Sequence, residues 1–204
     1  DYRFAADAFT ERGYVVVIAD YVKYPEGKFP EFVEDGAKAV AWVHENIWKY
    51  NGDVNNINIV GHSAGAYIGG MLATNGEYLK AEGGSQKWVK HFVGLAGAYN
   101  FKPTELFEKE FSPIFGNDFE PICLCNFVRK DQPPVLLLWG ANDKTIDKWQ
   151  MDYLADTIKK HGGKVETKIY DDIDHVGIVA ALSRVRRERA PVIEDVDAFI
   201  SKSN

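Results

Sequence analysis

Gly61-His62-Ser63-Ala64-Gly65 is the segment of this chain best suited to chemistry. It follows the apolar run Ile57-Asn58-Ile59-Val60 and precedes a helix-like stretch from Ala66 to Leu79. A serine held on a very tight turn between strand and helix projects its hydroxyl above the sheet, where a carbonyl carbon can reach it. The residues two before and two after such a serine are expected to be small, because strand and helix crowd together there and glycine has no Cβ. Gly-x-Ser-x-Gly arises by chance in roughly one chain in fifteen of this length, so the surroundings must carry the reading.

A serine hydroxyl is a poor nucleophile at neutral pH and needs a base, which in turn needs an orienting acid. In a parallel sheet the working residues gather in loops at the carboxyl ends of strands. That rule sorts the five histidines. His44 lies inside a long helical pattern, His91 at the start of a strand run and His161 at the end of a helix, while His62 neighbours the serine and is expected to point away from it. His175 follows the strand run that ends near Tyr170, in the loop Asp171-Asp172-Ile173-Asp174-His175, and is the expected base. The acid should come from a strand end between serine and histidine. Asp143, in Gly140-Ala141-Asn142-Asp143 after the run Val135 to Trp139, meets that requirement, with Asp147 as runner-up. Asp171, Asp172 and Asp174 read as turn formers.

The elements that must hold these residues follow from hydrophobic periodicity. Residues 2–12 carry apolar groups at helical spacing, ended by Gly13, and Tyr14 to Ala19 reads as a strand buried on both faces. After the loop Tyr24-Pro25-Glu26-Gly27-Lys28-Phe29-Pro30, a long helix is expected from Glu31 to Tyr50. Asn55 to Val60 is the next strand, followed by the serine turn and a helix to about Lys80. Lys90 to Ala96, Val135 to Trp139 and Lys164 to Tyr170 complete five strands; Lys148 to His161 and residues 191–201 are helices. Strands alternating with helices of about ten or more residues predict an α/β fold of right-handed βαβ units around a mostly parallel sheet, with helices on both faces. One domain is expected over 1–204, with an irregular, cap-like insertion at about 100–132. There Pro103, Pro113 and Pro121 break the period, and Phe101, Phe107, Phe111, Phe115, Phe119 and Phe127 either cover an apolar pocket or fill the core beneath a long loop. Arg184-Val185-Arg186-Arg187-Glu188-Arg189 reads as a solvated helix face.

Bulk properties narrow the classes. The 204 residues, 46% apolar and 26% charged, suit an ordinary soluble globular domain. A net charge of −6 gives no support for nucleic-acid binding. No apolar run approaches transmembrane length. Cys123 and Cys125 are too close for an unstrained disulfide and too few for a structural metal, so two free thiols are expected. Such low cysteine usage leans towards a reducing, cytoplasmic compartment.

With this order in place the chain resembles the α/β-hydrolase superfamily, within it the esterase/lipase group related to hormone-sensitive lipase. It is most similar to small carboxylesterases of the arylformamidase-like and prenylcysteine methylesterase-like kind. The likeness rests on Gly13-Tyr14-Val15-Val16-Val17-Ile18-Ala19-Asp20-Tyr21 with Pro25-Glu26 and Phe29-Pro30, on Asp35 and Trp42-Val43, on the serine pentapeptide, on Pro134 to Gly140 with Asp143, and on His175. The resemblance implies Ser63 as nucleophile, Asp143 as acid, His175 as base and the Ala64 backbone N–H as an oxyanion donor. It implies no metal or organic cofactor. The expected partners are a small-molecule ester and, at most, a second copy in a homodimer. The implied activity is hydrolysis of short- to medium-chain carboxylic esters. The alternatives are an arylformamidase-type amide hydrolase and a non-catalytic ligand-binding relative. The family's His-Gly-Gly oxyanion motif precedes its first helix; here His161-Gly162-Gly163 lies between acid and base and reads as a glycine helix cap. The natural protein is therefore expected to carry an N-terminal segment, with edge strands and the remaining oxyanion donors, ahead of residue 1.

Overall fold

The computed structural model describes residues 2–202. In chain order its elements are α1 (Arg3–Thr10), α2 (Glu31–Asn46), β1 (Ile57–His62), α3 (Ala64–Thr74), α4 (Glu77–Ala81), β2 (Val89–Leu95), α5 (Ser112–Phe115), β3 (Val135–Gly140), α6 (Trp149–Lys160), β4 (Val165–Tyr170), α7 (His175–Ala180) and α8 (Val192–Ser201). The four strands form one sheet in the order β1-β2-β3-β4, with every neighbouring pair parallel. Parallel neighbours need a crossover, and the crossovers supply the helices that cover the sheet.

Alternation along β3 shows how the two faces are filled. Val135 and Leu137 pack into a core shared with Val33 and Val40 of α2, Met71 and Leu72 of α3, and Leu154 and Ile158 of α6. Leu136 and Leu138 point into the opposite core, with Phe9 of α1, Ile178 of α7, and Ile193 and Val196 of α8. Successive strand residues point to opposite faces, so helices on both sides demand the near-continuous apolar run Val135-Leu136-Leu137-Leu138. β4 is a sheet edge, and exposed Glu166 and Lys168 there oppose strand pairing with another chain.

The expected strand from Tyr14 to Ala19 does not form. A strand is held by ladder hydrogen bonds, and no described strand pairs with this segment. Tyr14 and Val16 still pack on the core beside α1, while Val15, Val17 and Ile18 are exposed. The sheet therefore has four described strands where five were expected. The helix expected over Glu31 to Tyr50 ends at Asn46 and tightens into a 3₁₀ turn over Ile47–Tyr50. The helix after Ser63 is split at Asn75 and Gly76 into α3 and α4.

Residues 100–132 carry a π-helical turn at Phe107–Phe111, then α5, then a 3₁₀ turn at Leu124–Phe127. Their phenylalanines pack on one another, with Phe101–Phe115 and Phe107–Phe119 ring centroids each 4.7 Å apart. This aromatic cluster leans on Tyr67, whose ring lies 5.2 Å from that of Phe115. The basic run is not a helix face. It forms turns and a short 3₁₀ segment, and Arg184 and Arg187 both bind Glu11 at the end of α1.

Candidate active site

Ser63 sits between the last residue of β1 and the first of α3, with φ 52° and ψ −116°. Few non-glycine residues adopt such a backbone, and the surrounding structure must hold it there. One anchor is the Ser63 N–H, which donates to the Leu95 carbonyl at the end of β2 (2.9 Å). Gly61 is required sterically: a Cβ there would lie 2.3 Å from the Gly65 carbonyl oxygen. The expectation of a matching constraint at Gly65 is not met, because a Cβ at Gly65 would have nothing within 4 Å.

The structure brings Ser63, His175 and Asp143 together. His175 Nε2 lies 3.0 Å from Ser63 Oγ, and His175 Nδ1 lies 2.9 Å from Asp143 Oδ2. A carboxylate accepts, so Nδ1 carries the proton, and Nε2 is left with a lone pair facing the serine hydroxyl. Asp143 is held in turn. Its other oxygen accepts from the N–H groups of Thr145 (2.8 Å) and Ile146 (2.9 Å), and its side chain is fully buried. The loops bearing Asp143 and His175 are joined by Asn142 N–H to the Ile173 carbonyl and Ala141 N–H to the Tyr170 carbonyl, each 2.9 Å.

His175 was expected in a loop; it is the first residue of α7, capped by Asp174 Oδ1, which accepts from the Gly177 N–H at 2.6 Å. Asp147, the runner-up acid, is exposed and accepts from the Trp149 N–H at the start of α6. Ala64 opens α3, so its N–H belongs to the first turn of a helix and has no intrahelical acceptor. His161 and Gly162 close α6, with Gly162 at φ 77° as a helix cap requires. Cys123 and Cys125 are both free thiols, the first buried, and burial pushes the Cys125 thiol up to about 11.

His62, expected to point away from the serine, lies beside His175, with ring centroids 4.8 Å apart and its Nε2 2.8 Å from the His175 carbonyl oxygen. Burial holds its pKa below the usual histidine value. A cavity of about 380 Å³ opens at Pro134, Lys164 and Val165, at the amino ends of β3 and β4, the end of the sheet opposite Ser63, Asp143 and His175. Among the described residues no cluster of histidine, cysteine or acidic side chains could hold a metal ion, and no helix is long and apolar enough to cross a membrane.

The BD-FAE family model matches residues 2–158, most of the chain. The chain belongs to the BD-FAE family. BD-FAE domains are α/β hydrolases, in keeping with the superfamily that the sequence resembles. Among curated relatives, the probable isoprenylcysteine alpha-carbonyl methylesterase ICMEL1 of Oryza sativa subsp. japonica is 26% identical over 95% of this chain and 51% of its own length. The probable ICMEL2 of Arabidopsis thaliana is 34% identical over 82% of this chain and 45% of its own. Esterase LipQ of Mycobacterium tuberculosis is 24% identical over 93% and 48%. The chain thus spans about half the length of the curated relatives it matches. Among solved structures, Thermogutta terrifontis esterase 2 phosphoramylated by tabun superposes with a TM-score of 0.83 at 18% identity, covering 100% of this chain and 76% of that one. A truncated carbohydrate esterase from gut microbiota gives 0.75 at 20% identity, covering 90% and 72%. The fold is that of an α/β-hydrolase, as the strand and helix order predicts.

Proposed function

We propose that this BD-FAE chain carries a serine carboxylesterase that hydrolyses short- to medium-chain carboxylic esters through an acyl-enzyme on Ser63. The observation that supports it most is the continuous line from Ser63 Oγ through His175 to Asp143, with links of 3.0 and 2.9 Å. Ser63 Oγ attacks the ester carbonyl while its proton passes to His175 Nε2. Asp143 keeps the proton on Nδ1 and stabilises the imidazolium that forms. The Ala64 N–H donates to the oxyanion as the tetrahedral intermediate develops. Collapse breaks the bond to the alcohol, which leaves with the proton from His175. Water then attacks the acyl-enzyme, giving its proton to His175, and the carboxylic acid departs as Ser63 recovers its hydrogen. The aromatic segment 100–132 is proposed to cover the acyl or alcohol group, because its rings reach Tyr67, four residues beyond the nucleophile.

A p-nitrophenyl ester series of increasing acyl length tests the proposal. Wild type should turn over the shorter members, and Ser63→Ala should lose at least about 10³-fold in kcat. Equal rates for the two proteins would end this reading.

A further inference from the structure

We infer that His62 is a positioning residue: it ties the backbone that bears the base to the elbow that bears the nucleophile. The inference rests on the esterase reading for its consequence, but its geometry stands alone. The His175 carbonyl can only accept, so the 2.8 Å contact requires the proton of His62 to be on Nε2. In the neutral ring Nδ1 is then the acceptor, and Tyr2 Oη, 3.0 Å away, is placed to donate to it. These two contacts select one tautomer of the neutral imidazole.

The bond matters because of what it joins. His62 is covalently next to Ser63, and its partner is the main chain of His175 itself. Asp143 fixes the imidazole of His175 from one side, while His62 fixes the peptide carrying it from another. Without the second tie, the start of the short helix α7 could shift relative to the elbow. A misplacement near 1 Å in such a constellation costs about 10²-fold in rate. Neutrality is needed as well. The titratable groups facing His62 are Tyr2, His175 and Asp143, and during turnover His175 becomes a cation 4.8 Å away. A charged His62 would oppose that step, and burial keeps it uncharged.

Two variants and one spectrum test this. His62→Phe keeps a ring but loses the donor; His62→Gln can place an amide N–H where Nε2–H was and cannot titrate. We expect His62→Phe to lower kcat about 10- to 100-fold with KM within about twofold, and His62→Gln to recover most of the loss. A wild-type kcat in His62→Phe, or a Gln variant no better than Phe, would overturn the inference. Histidine ¹⁵N spectra of the wild-type protein near pH 7 give a readout that needs no activity. They should show His62 neutral with its proton on Nε2; a proton on Nδ1, or an imidazolium, overturns the inference. If wild type does not hydrolyse esters, or Ser63→Ala retains turnover, the functional reading fails and the spectrum alone decides the tie.

Discussion

Gly61 and Gly65 look equivalent in the pentapeptide, yet the structure assigns them different duties. Gly61 faces the backbone of Gly65 and Ala66 at distances that no Cβ tolerates, whereas Gly65 contributes the crowding backbone and has open space above its own Cα. Gly61→Ala should therefore cost several kcal/mol or prevent folding, and Gly65→Ala, in the first turn of α3, should be neutral or gain up to about 1 kcal/mol; urea unfolding of both variants reads the contrast. Asp143→Asn should keep the fold and lower kcat by about 10⁴, because an amide can donate to His175 and leave the wrong tautomer facing Ser63; steady-state kinetics on a p-nitrophenyl ester measures it. At this scale the sequence was legible where chemistry imposes an order. Ser63, Asp143 and His175 stand after β1, β3 and β4, in the chain order expected for such a site, and the structure places them within hydrogen-bond reach. His62 was not legible, because its partner is a backbone carbonyl far along the chain, and no residue pattern records where a carbonyl points.

Short elements do much of the positioning. Helix α7 has only six residues, too few to be stable by propensity, so its Asp174 cap and its packing must hold the first residue, His175, in place. Asp174→Ala should cost about 0.5–2 kcal/mol of stability, with a fall in kcat because the base sits at the frayed end; thermal unfolding and kinetics on one preparation would show both. This helix had no sequence signal, since His175-Val176-Gly177-Ile178-Val179-Ala180 contains a glycine and two β-branched valines and makes fewer than two turns. The strands β2 and β3 were legible because burial on both faces leaves near-continuous apolar runs in them. Tyr14 to Ala19 has the same composition and forms no strand. Composition reports a preference for extended chain, but only a neighbour completes the ladder, and the run itself does not name that neighbour.

Across the whole molecule, two histidines set a common response to acid. Burial depresses the pKa of both His62 and His91 below their ordinary 6.5. His91 donates through Nδ1 to Asn58 Oδ1, and its buried Nε2 has no partner among the described residues. The unfolded chain therefore binds protons more readily than the folded one just below pH 6.5. Stability is at its full value above that pH and falls as the pH drops towards the lower folded values. The urea midpoint should decline between pH 7.5 and 5.5, and His91→Leu should flatten the slope. The α/β architecture was legible from alternation of elements, and the family follows from the match over residues 2–158. The packing of the phenylalanines in 100–132 was not, because their rings stack on each other and on Tyr67 without any repeat in the chain.

A covalent acyl-enzyme on Ser63 can be caught by mass spectrometry of protein quenched during turnover of a p-nitrophenyl ester. Wild type should gain the mass of one acyl group on the peptide containing Ser63, and Ser63→Ala should gain none. Turnover without any acylated protein, or an acyl group found on another residue, would rule out Ser63 as the nucleophile.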